Sequence, residues 1–295
     1  MKIISFVLFL LSAMQLLGCS SVGSQTLAKD ACPEKFNSAT ALELGKIAGY
    51  AYQKDRNKLK EGLATSGYTL DDYDLTDSKT GTDGFIAHNV DSVVVAFTGS
   101  EEIKDWLRDV QTWSDKVLAD ESCHKDIAIH SGFEDAIHAV TRNGKLMERI
   151  NNYHQQGKKI YVTGHSLGGA MATLFAYYAE ARAPMFPVEA VYTFGQPLVG
   201  DENFQGCYDA RLKEKTYRYV NDRDFIPKVR AERDFRHVGV FLFFDQEGDL
   251  SLEKPESFVD KFTDLFKENP IDGHVMGSYL EKLEKNKNIN PFACS

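Results

Sequence analysis

Between Lys159 and Ala183 the chain changes its apolar period once, and sharply. A β-branched, apolar run from Lys159 to Thr163 enters Gly164-His165-Ser166-Leu167-Gly168, and an apolar helical run from Ala170 to Ala183 leaves it. A strand that turns into a helix within five residues needs a strained turn. Such a turn lifts its central side chain, Ser166, clear of the backbone, and the two glycines remove side chains that would clash there. Gly-x-Ser-x-Gly alone is a short pattern that recurs by chance. The strand before it and the helix after it give it meaning as a nucleophile elbow, in which Ser166 is exposed for attack on an acyl carbon. The plain alternative is a glycine-rich turn with no chemistry.

The rest of the chain fits a scaffold for such a turn. Ser38 is placed to cap a helix carrying Leu44, Ile47, Ala48, Ala51 and Tyr52 on one face. Phe85–Asn89 and Ser92–Phe97 read as strands joined by an Asn-Val-Asp turn. Phe133–Gln155 reads as one long helix, Lys159–Thr163 as a strand and Leu167–Arg182 as a helix. Val188–Phe194, Thr216–Val220 and Val238–Phe244 are further strands, and Phe258–Lys267 and Met276–Lys287 are closing helices. Unbroken apolar strands such as Val93-Val94-Val95-Ala96-Phe97 imply burial on both faces. The fold class is therefore α/β: a mostly parallel central sheet flanked by helices, in a single domain. No internal repeat or low-complexity linker follows residue 37.

The first residues set the compartment. Met1-Lys2 is followed by an uncharged run, Ile3–Gly18, that ends Leu16-Leu17-Gly18-Cys19. The run is shorter than the ~20 residues of a membrane-spanning helix and has the length of a signal-peptide core. Small residues before a cysteine resemble the lipobox of bacterial lipoproteins. That resemblance implies a signal peptide at 1–18, a lipidated Cys19 anchoring the mature chain to a membrane, a tether over 19–37 and a catalytic domain over 38–295. The location implied is the cell envelope, facing the outer membrane or periplasm if the source is Gram-negative. Ser20 resembles the outer-membrane sorting residue. An ordinary secretory signal or an uncleaved anchor would also place the folded part outside the cytoplasm.

A net charge of −9 without a clustered Lys/Arg stripe argues against nucleic acid as a partner. It also argues against electrostatic docking on anionic lipid. Beyond Cys19 the chain has Cys32, Cys123, Cys207 and Cys294, an even number in an oxidising setting. Three pairings are possible. Because domain termini often lie close together, Cys32–Cys294 with Cys123–Cys207 is favoured. No Cys/His spacing suggests zinc and His-Glu-x-x-His is absent, so no metal or other cofactor is expected.

If Ser166 is the nucleophile, its partners come from loops after later strands, in the order serine, acid, histidine. His237 enters a strand and so lies at its amino end, the wrong edge; it reads as structural. His274 follows the last strand and precedes a helix, which selects it as the base. For the acid, Asp222 and Asp224 follow the strand Thr216–Val220, with Asp201 a third candidate. Pro227 would fix the turn around Asp224, which is favoured. In acyl transfer His274 would take the serine proton and return it to the leaving alcohol, with Asp224 holding the imidazole tautomer. The oxyanion needs backbone donors. One is the amide of Leu167 at the helix start, and Phe97-Thr98-Gly99-Ser100 is well placed to give another.

Five motifs now resemble the class 3, or fungal-type, lipase family. They are Ala96-Phe97-Thr98-Gly99-Ser100 with Ile103-Lys104-Asp105-Trp106-Leu107, His130-Ser131-Gly132-Phe133, Gly164-His165-Ser166-Leu167-Gly168-Gly169, Thr193-Phe194-Gly195-Gln196-Pro197 with Val199-Gly200, and Asp224-Phe225-Ile226-Pro227. They occur in the family's order from about residue 36 to residue 280. The resemblance implies an α/β-hydrolase fold, a triad of Ser166, Asp224 and His274, oxyanion donors at Ser100 and Leu167, and activity on carboxylic esters of lipids. Thr98 departs from the arginine usual there. Arg236-His237-Val238-Gly239 is similar to the strand after the family's acid, in keeping with a structural His237.

Ile103, Trp106, Leu107, Val110 and Trp113 fall at helical spacing. In the resembling lipases this region is a lid over the acyl pocket; an ordinary docked helix is the other reading. Phe258, Phe262, Leu265 and Phe266 form a second stripe, read as core packing. The leading function is a monomeric lipase or esterase acting on lipid acyl esters. Phospholipase A1 or acyltransferase activity would use the same triad. A silent, envelope-anchored lipid-binding protein is the alternative from another class, and nothing resembles the subsites of a peptidase.

Overall fold

The computed structural model describes residues 33, 35–100, 114–182, 185–229, 234–255 and 273–292. The leader with Cys19, the stripe Ile103–Trp113, the helix expected at Phe258–Lys267, and Cys32 and Cys294 lie outside the described residues. Residues 32–295 form one compact unit.

Continuous apolar runs make the central sheet. Its strands are β1 (Thr69–Leu70), β2 (Gly84–His88), β3 (Ser92–Phe97), β6 (Lys159–His165), β7 (Ala190–Phe194), β9 (Thr216–Asn221), β11 (Val240–Phe244) and β12 (Leu250–Ser251), in the spatial order β1-β2-β3-β6-β7-β9-β11-β12. The five inner strands from β3 to β11 are parallel, and the antiparallel strands sit at the edges. In β3 every residue is buried, which only a sheet covered on both sides allows.

The alternation of a strand sorts those residues to two cores. Val93, Val95 and Phe97 join Ile160, Val162 and Val191 under helices α3 (Ser131–Thr141), α4 (Lys145–Gln155) and α5 (Leu167–Tyr177). Val94 and Ala96 join Ala190, Tyr192, Tyr217 and Tyr219 under α1 (Ser38–Tyr50), α2 (Arg56–Thr65) and α7 (Met276–Asn286). The parallel sheet with helices on both faces is as expected from the sequence.

Several local expectations change. The single helix expected over Phe133–Gln155 is two, α3 and α4. Gly144 stands between them at φ +72°, and the Asn143 side chain accepts from Lys145 N–H at 3.0 Å, so α3 ends and α4 restarts. Phe133, Ile137 and Val140 before the break and Leu146, Met147 and Ile150 after it share one core, which hides the break in the apolar pattern. The cap of α1 is Asn37, whose side chain takes Thr40 N–H, and not Ser38. The helix expected to reach Arg182 is α-helical to Tyr177 and widens to a π-turn over Tyr178–Arg182, where Glu180 accepts Val188 N–H and Lys215.

A second, antiparallel sheet was not anticipated. It orders β10 (Phe235–Arg236), β8 (Gly200–Asp201), β5 (Lys125–His130) and β4 (Asp115–Asp120). The disulfide Cys123–Cys207 ties the β4–β5 turn to α6 (Glu202–Leu212), one of the two bridges favoured from sequence. Among the described residues no helix is long and apolar enough to cross a membrane.

Candidate active site

The parallel strands deliver their loops to one edge of the sheet. β6 ends at His165 and α5 begins at Leu167, so Ser166 alone makes the turn, at φ 58° and ψ −129°. A non-glycine residue held there costs about 1–3 kcal/mol, and the surroundings enforce it. Ser166 N–H donates to Phe194 O at 2.9 Å, and Gly169 N–H donates to Ser166 O at 2.9 Å. The flanking glycines are required by packing. A Cβ on Gly164 would lie 2.2 Å from the Gly168 carbonyl oxygen, and one on Gly168 would lie 2.2 Å from that of Phe97.

Asp224 comes from the loop after β9. Its N–H donates to Asn221 O at 3.0 Å, and its Oδ1 accepts Ile226 N–H at 2.8 Å, so the turn ending in Pro227 fixes the carboxylate. Its Oδ2 is 2.9 Å from His274 Nδ1, and His274 Nε2 is 2.8 Å from Ser166 Oγ. All three are buried: Ser166 is 1% exposed, Asp224 0% and His274 4%. A carboxylate only accepts hydrogen bonds, so Nδ1 of His274 carries the hydrogen and Nε2 is free to take the proton of Ser166. That is the arrangement needed to turn a serine hydroxyl into a nucleophile.

The other candidates go elsewhere. Asp201 caps α6, accepting Phe204 N–H at 2.8 Å. Asp222 is half-buried, and its backbone N–H pairs with Phe244 O at 2.9 Å. His237 is half-buried and donates from Nε2 to Pro227 O at 2.7 Å, bracing the turn that carries Asp224. Burial, with the Arg218 charge beside it, holds His237 well below the usual histidine range.

Two tyrosines in the site carried no sequence signal of that role. Tyr279 on α7 donates to the same Asp224 Oδ2 at 2.5 Å, so this oxygen has two donors. Burial and the neighbouring carboxylate push the Tyr279 phenol well up, keeping it protonated. Tyr52, read from sequence as a core-facing residue, puts its hydroxyl 2.6 Å from His165 Nδ1.

For the oxyanion, Leu167 N–H stands at the start of α5, where the helix dipole favours negative charge. The turn after β3 is close by: a Cβ on Gly99 would lie 3.1 Å from Ser166 Cβ. Ser100 follows Gly99 and is half-buried. Thr98 donates from Oγ1 to Ala51 O at 2.9 Å and so ties this turn to the end of α1. Among the described residues no group of three His, Cys, Asp or Glu side chains could hold a metal ion.

Comparison with known proteins agrees with this architecture. Residues 94–233 match the family model described as lipase (class 3). A secreted mono- and diacylglycerol lipase of Fusarium solani is 29% identical over 154 residues, covering 52% of this chain and 44% of that protein. Phospholipase A1-II 3 of Oryza sativa subsp. japonica is 24% identical over 188 residues, 55% of this chain and 44% of that protein. The chain thus spans less than half the length of these curated relatives. The solved triacylglyceride lipase of Rhizomucor miehei superposes with a TM-score of 0.62 at 22% identity, covering 81% of this chain and 95% of that one. The fold is that of the α/β-hydrolase lipases.

Proposed function

We propose that this chain, whose residues 94–233 match the class 3 lipase family, is a serine hydrolase that cleaves acyl esters of lipids through an acyl-enzyme. The observation that carries the reading is the buried chain from Ser166 Oγ through His274 to Asp224, with both hydrogen bonds under 3 Å. Ser166 Oγ attacks the ester carbonyl while His274 Nε2 takes its proton. The oxyanion forms against Leu167 N–H and the Gly99-Ser100 turn, where each donor contributes on the order of 3 kcal/mol. His274 then protonates the leaving alcohol, and water repeats the sequence on the acyl-enzyme. Asp224 holds the imidazole tautomer and offsets the imidazolium charge.

The relatives named as mono- and diacylglycerol lipase and as triacylglyceride lipase support a glyceride substrate. The relative named as phospholipase A1 supports the second reading, a phospholipid acyl ester on the same triad. The test is fatty-acid release by the full-length chain from diacylglycerol, triacylglycerol and phosphatidylcholine emulsions. Loss of Ser166 in a working triad costs about 10⁶ in kcat, so Ser166→Ala is expected to abolish release from whichever lipid is cleaved. Faster release from glycerides than from phosphatidylcholine selects the first reading, and the reverse selects the second. Activity that survives Ser166→Ala would overturn both.

The reading extends to the ends of the chain. Residues 1–18 are a lipoprotein leader, Cys19 is the lipidated residue, 19–37 is a tether, and 38–295 is a monomeric catalytic domain held at the cell envelope. Relatives named as secreted support a location outside the cytoplasm. Incorporation of labelled palmitate that disappears in Cys19→Ser checks the anchor.

A further inference from the structure

The sequence assigns His165 only to the elbow turn, yet its side chain lies between two parts of the site. It is 4% exposed, and its ring centroid is 4.6 Å from that of His274, 5.7 Å from that of Tyr52 and 5.9 Å from that of Tyr279. Its Nε2 is 2.5 Å from the backbone carbonyl oxygen of His274. A carbonyl can only accept, so Nε2 carries the hydrogen. In a neutral imidazole Nδ1 is then the acceptor, and it receives the Tyr52 hydroxyl at 2.6 Å.

We propose that Tyr52 and His165 are positioning residues for His274: the Tyr52 hydroxyl fixes the His165 tautomer, and His165 pins the peptide that carries the base. The inference rests on the triad reading above. Its geometry joins three elements. The oxyanion turn abuts the pair, since a Cβ on Gly99 would fall 2.2 Å from the Tyr52 hydroxyl and 2.7 Å from His165 O. His165 is covalently next to the nucleophile. The base is held from both sides of its peptide, because Asn221 Nδ2 donates to Gly273 O at 3.0 Å while His165 donates to His274 O.

The tautomer matters because the opposite one would face a nitrogen lone pair with the His274 carbonyl lone pairs at the same short distance. The charge state matters as well. Burial and the adjacent His274 imidazole hold His165 well below the usual histidine range, so it stays neutral. A neutral neighbour does not oppose the positive charge His274 gains during turnover.

A buried histidine that merely filled space would leave a different signature in paired variants of the full-length chain. In His165→Gln the amide N–H extends toward the His274 carbonyl, whereas in His165→Asn the shorter side chain reaches only the Tyr52 side. A reacting group misplaced by about 1 Å costs ~10²-fold. His165→Asn is therefore expected to lower kcat on a p-nitrophenyl ester by about 100-fold with KM within about two-fold, and His165→Gln to restore it to within about five-fold of wild type. Tyr52→Phe is expected to lower kcat about ten-fold in the wild type, but by less than about two-fold in His165→Gln, whose amide has no tautomer to fix; this non-additivity marks a coupled pair.

Equal losses in His165→Asn and His165→Gln would overturn the proposal, as would a Tyr52→Phe penalty that is the same in both backgrounds. If His165→Asn loses its folded circular-dichroism spectrum, the Tyr52→Phe comparison decides. Wild-type protein that labels at Ser166 with a fluorophosphonate but shows either of those results overturns the positioning role alone. Wild-type protein that does not label overturns the triad reading beneath it.

Discussion

Gly195 is the most exacting point at which to perturb the site without touching a reacting group. It follows β7 at φ +61°, and a Cβ there would lie 2.6 Å from Asp224 Oδ2 and 3.0 Å from His274 Nδ1. Both distances fall short of van der Waals contact, the first by about 1 Å. Asp224 is fully buried and its Oδ2 is held by His274 and Tyr279, so the carboxylate cannot retreat and keep both bonds. In Gly195→Ala the left-handed backbone costs about 1–2 kcal/mol, and the weakened charged hydrogen bond about 1.5–3 kcal/mol more. The expected fall in Tm is about 10 °C, at 2–4 °C per kcal/mol for a chain of this size. Activity should suffer more than stability. A shift of about 1 Å at the base costs ~10²-fold and complete loss of the aspartate's role ~10⁴-fold, so kcat should fall within that range while KM holds.

Gly67→Ala and Gly81→Ala are the controls. Both glycines have positive φ, +78° and +68°, and a Cβ added at either would have nothing within 4 Å. They should lose about 1–2 kcal/mol from the backbone alone and keep kcat. Calorimetry and ester kinetics on the three variants make the comparison. If Gly195→Ala kept kcat within a few-fold of these controls, the claim that the Asp224–His274 contact is packed to a fraction of an ångström would fail.

Other consequences are open to measurement. Cys123 and Cys207 close a loop with a sequence separation of 84; chain entropy assigns such a bridge about 4.6 kcal/mol, so Cys123→Ala with Cys207→Ala should lower Tm by about 10 °C or more, and a loss under about 2 °C would contradict it. Asp71 is buried. Burial alone would raise its carboxyl, but the Tyr153 hydroxyl, Tyr73 N–H and Arg149 guanidinium outweigh that and hold it below the usual carboxylate range. A lowered folded-state value contributes stability above the unfolded pKa of about 3.9 that is lost as pH falls through the folded value. Asp71→Asn should therefore cost about 2 kcal/mol at pH 7, with the urea-midpoint gap from wild type closing below about pH 4; a gap equal at both pH values would refute it. Tyr279→Phe removes one of two donors to Asp224 Oδ2 and should lower kcat by about ten-fold, the effect of one net hydrogen bond of ~1.4 kcal/mol, against an unchanged kcat if the phenol only fills space.

Much of the sheet could be read from the chain because its inner strands are continuous apolar runs. Val93 to Phe97 allows no exposed face, and that alone places helices on both sides. The β4–β5 hairpin escapes because Asp115–Asp120 is mostly half-exposed with charged ends, while Lys125–His130 opens on two exposed charges and buries only its last four residues, so neither a continuous run nor a clean alternation stands out. Helix α2 buries only Leu59 and Leu63, too few apolar positions to establish a period. The break at Gly144 was hidden because both helices present their apolar faces to one core.

In the site, residue type and chain order after strands single out Ser166, Asp224 and His274, signals that sequence carries directly, and the structure brings the three within hydrogen-bonding distance. Tyr279 and Tyr52 were not found. A tyrosine on an apolar helix face looks like core packing until its hydroxyl is seen against a carboxylate or an imidazole nitrogen. His237 and His274 were separated by topology, one at the amino end of a strand and the other ahead of a helix, and the structure places them against Pro227 and Ser166 respectively.

The central claim is that Ser166 is activated by His274. Reaction of the full-length chain with a fluorophosphonate, read by intact mass and by the modified peptide, tests it most directly. A single adduct on Ser166 is expected in the wild type. Labelling should slow by at least ~10³-fold in His274→Ala, whose base is gone. An adduct on another residue, or labelling of Ser166 at the wild-type rate in His274→Ala, would contradict it.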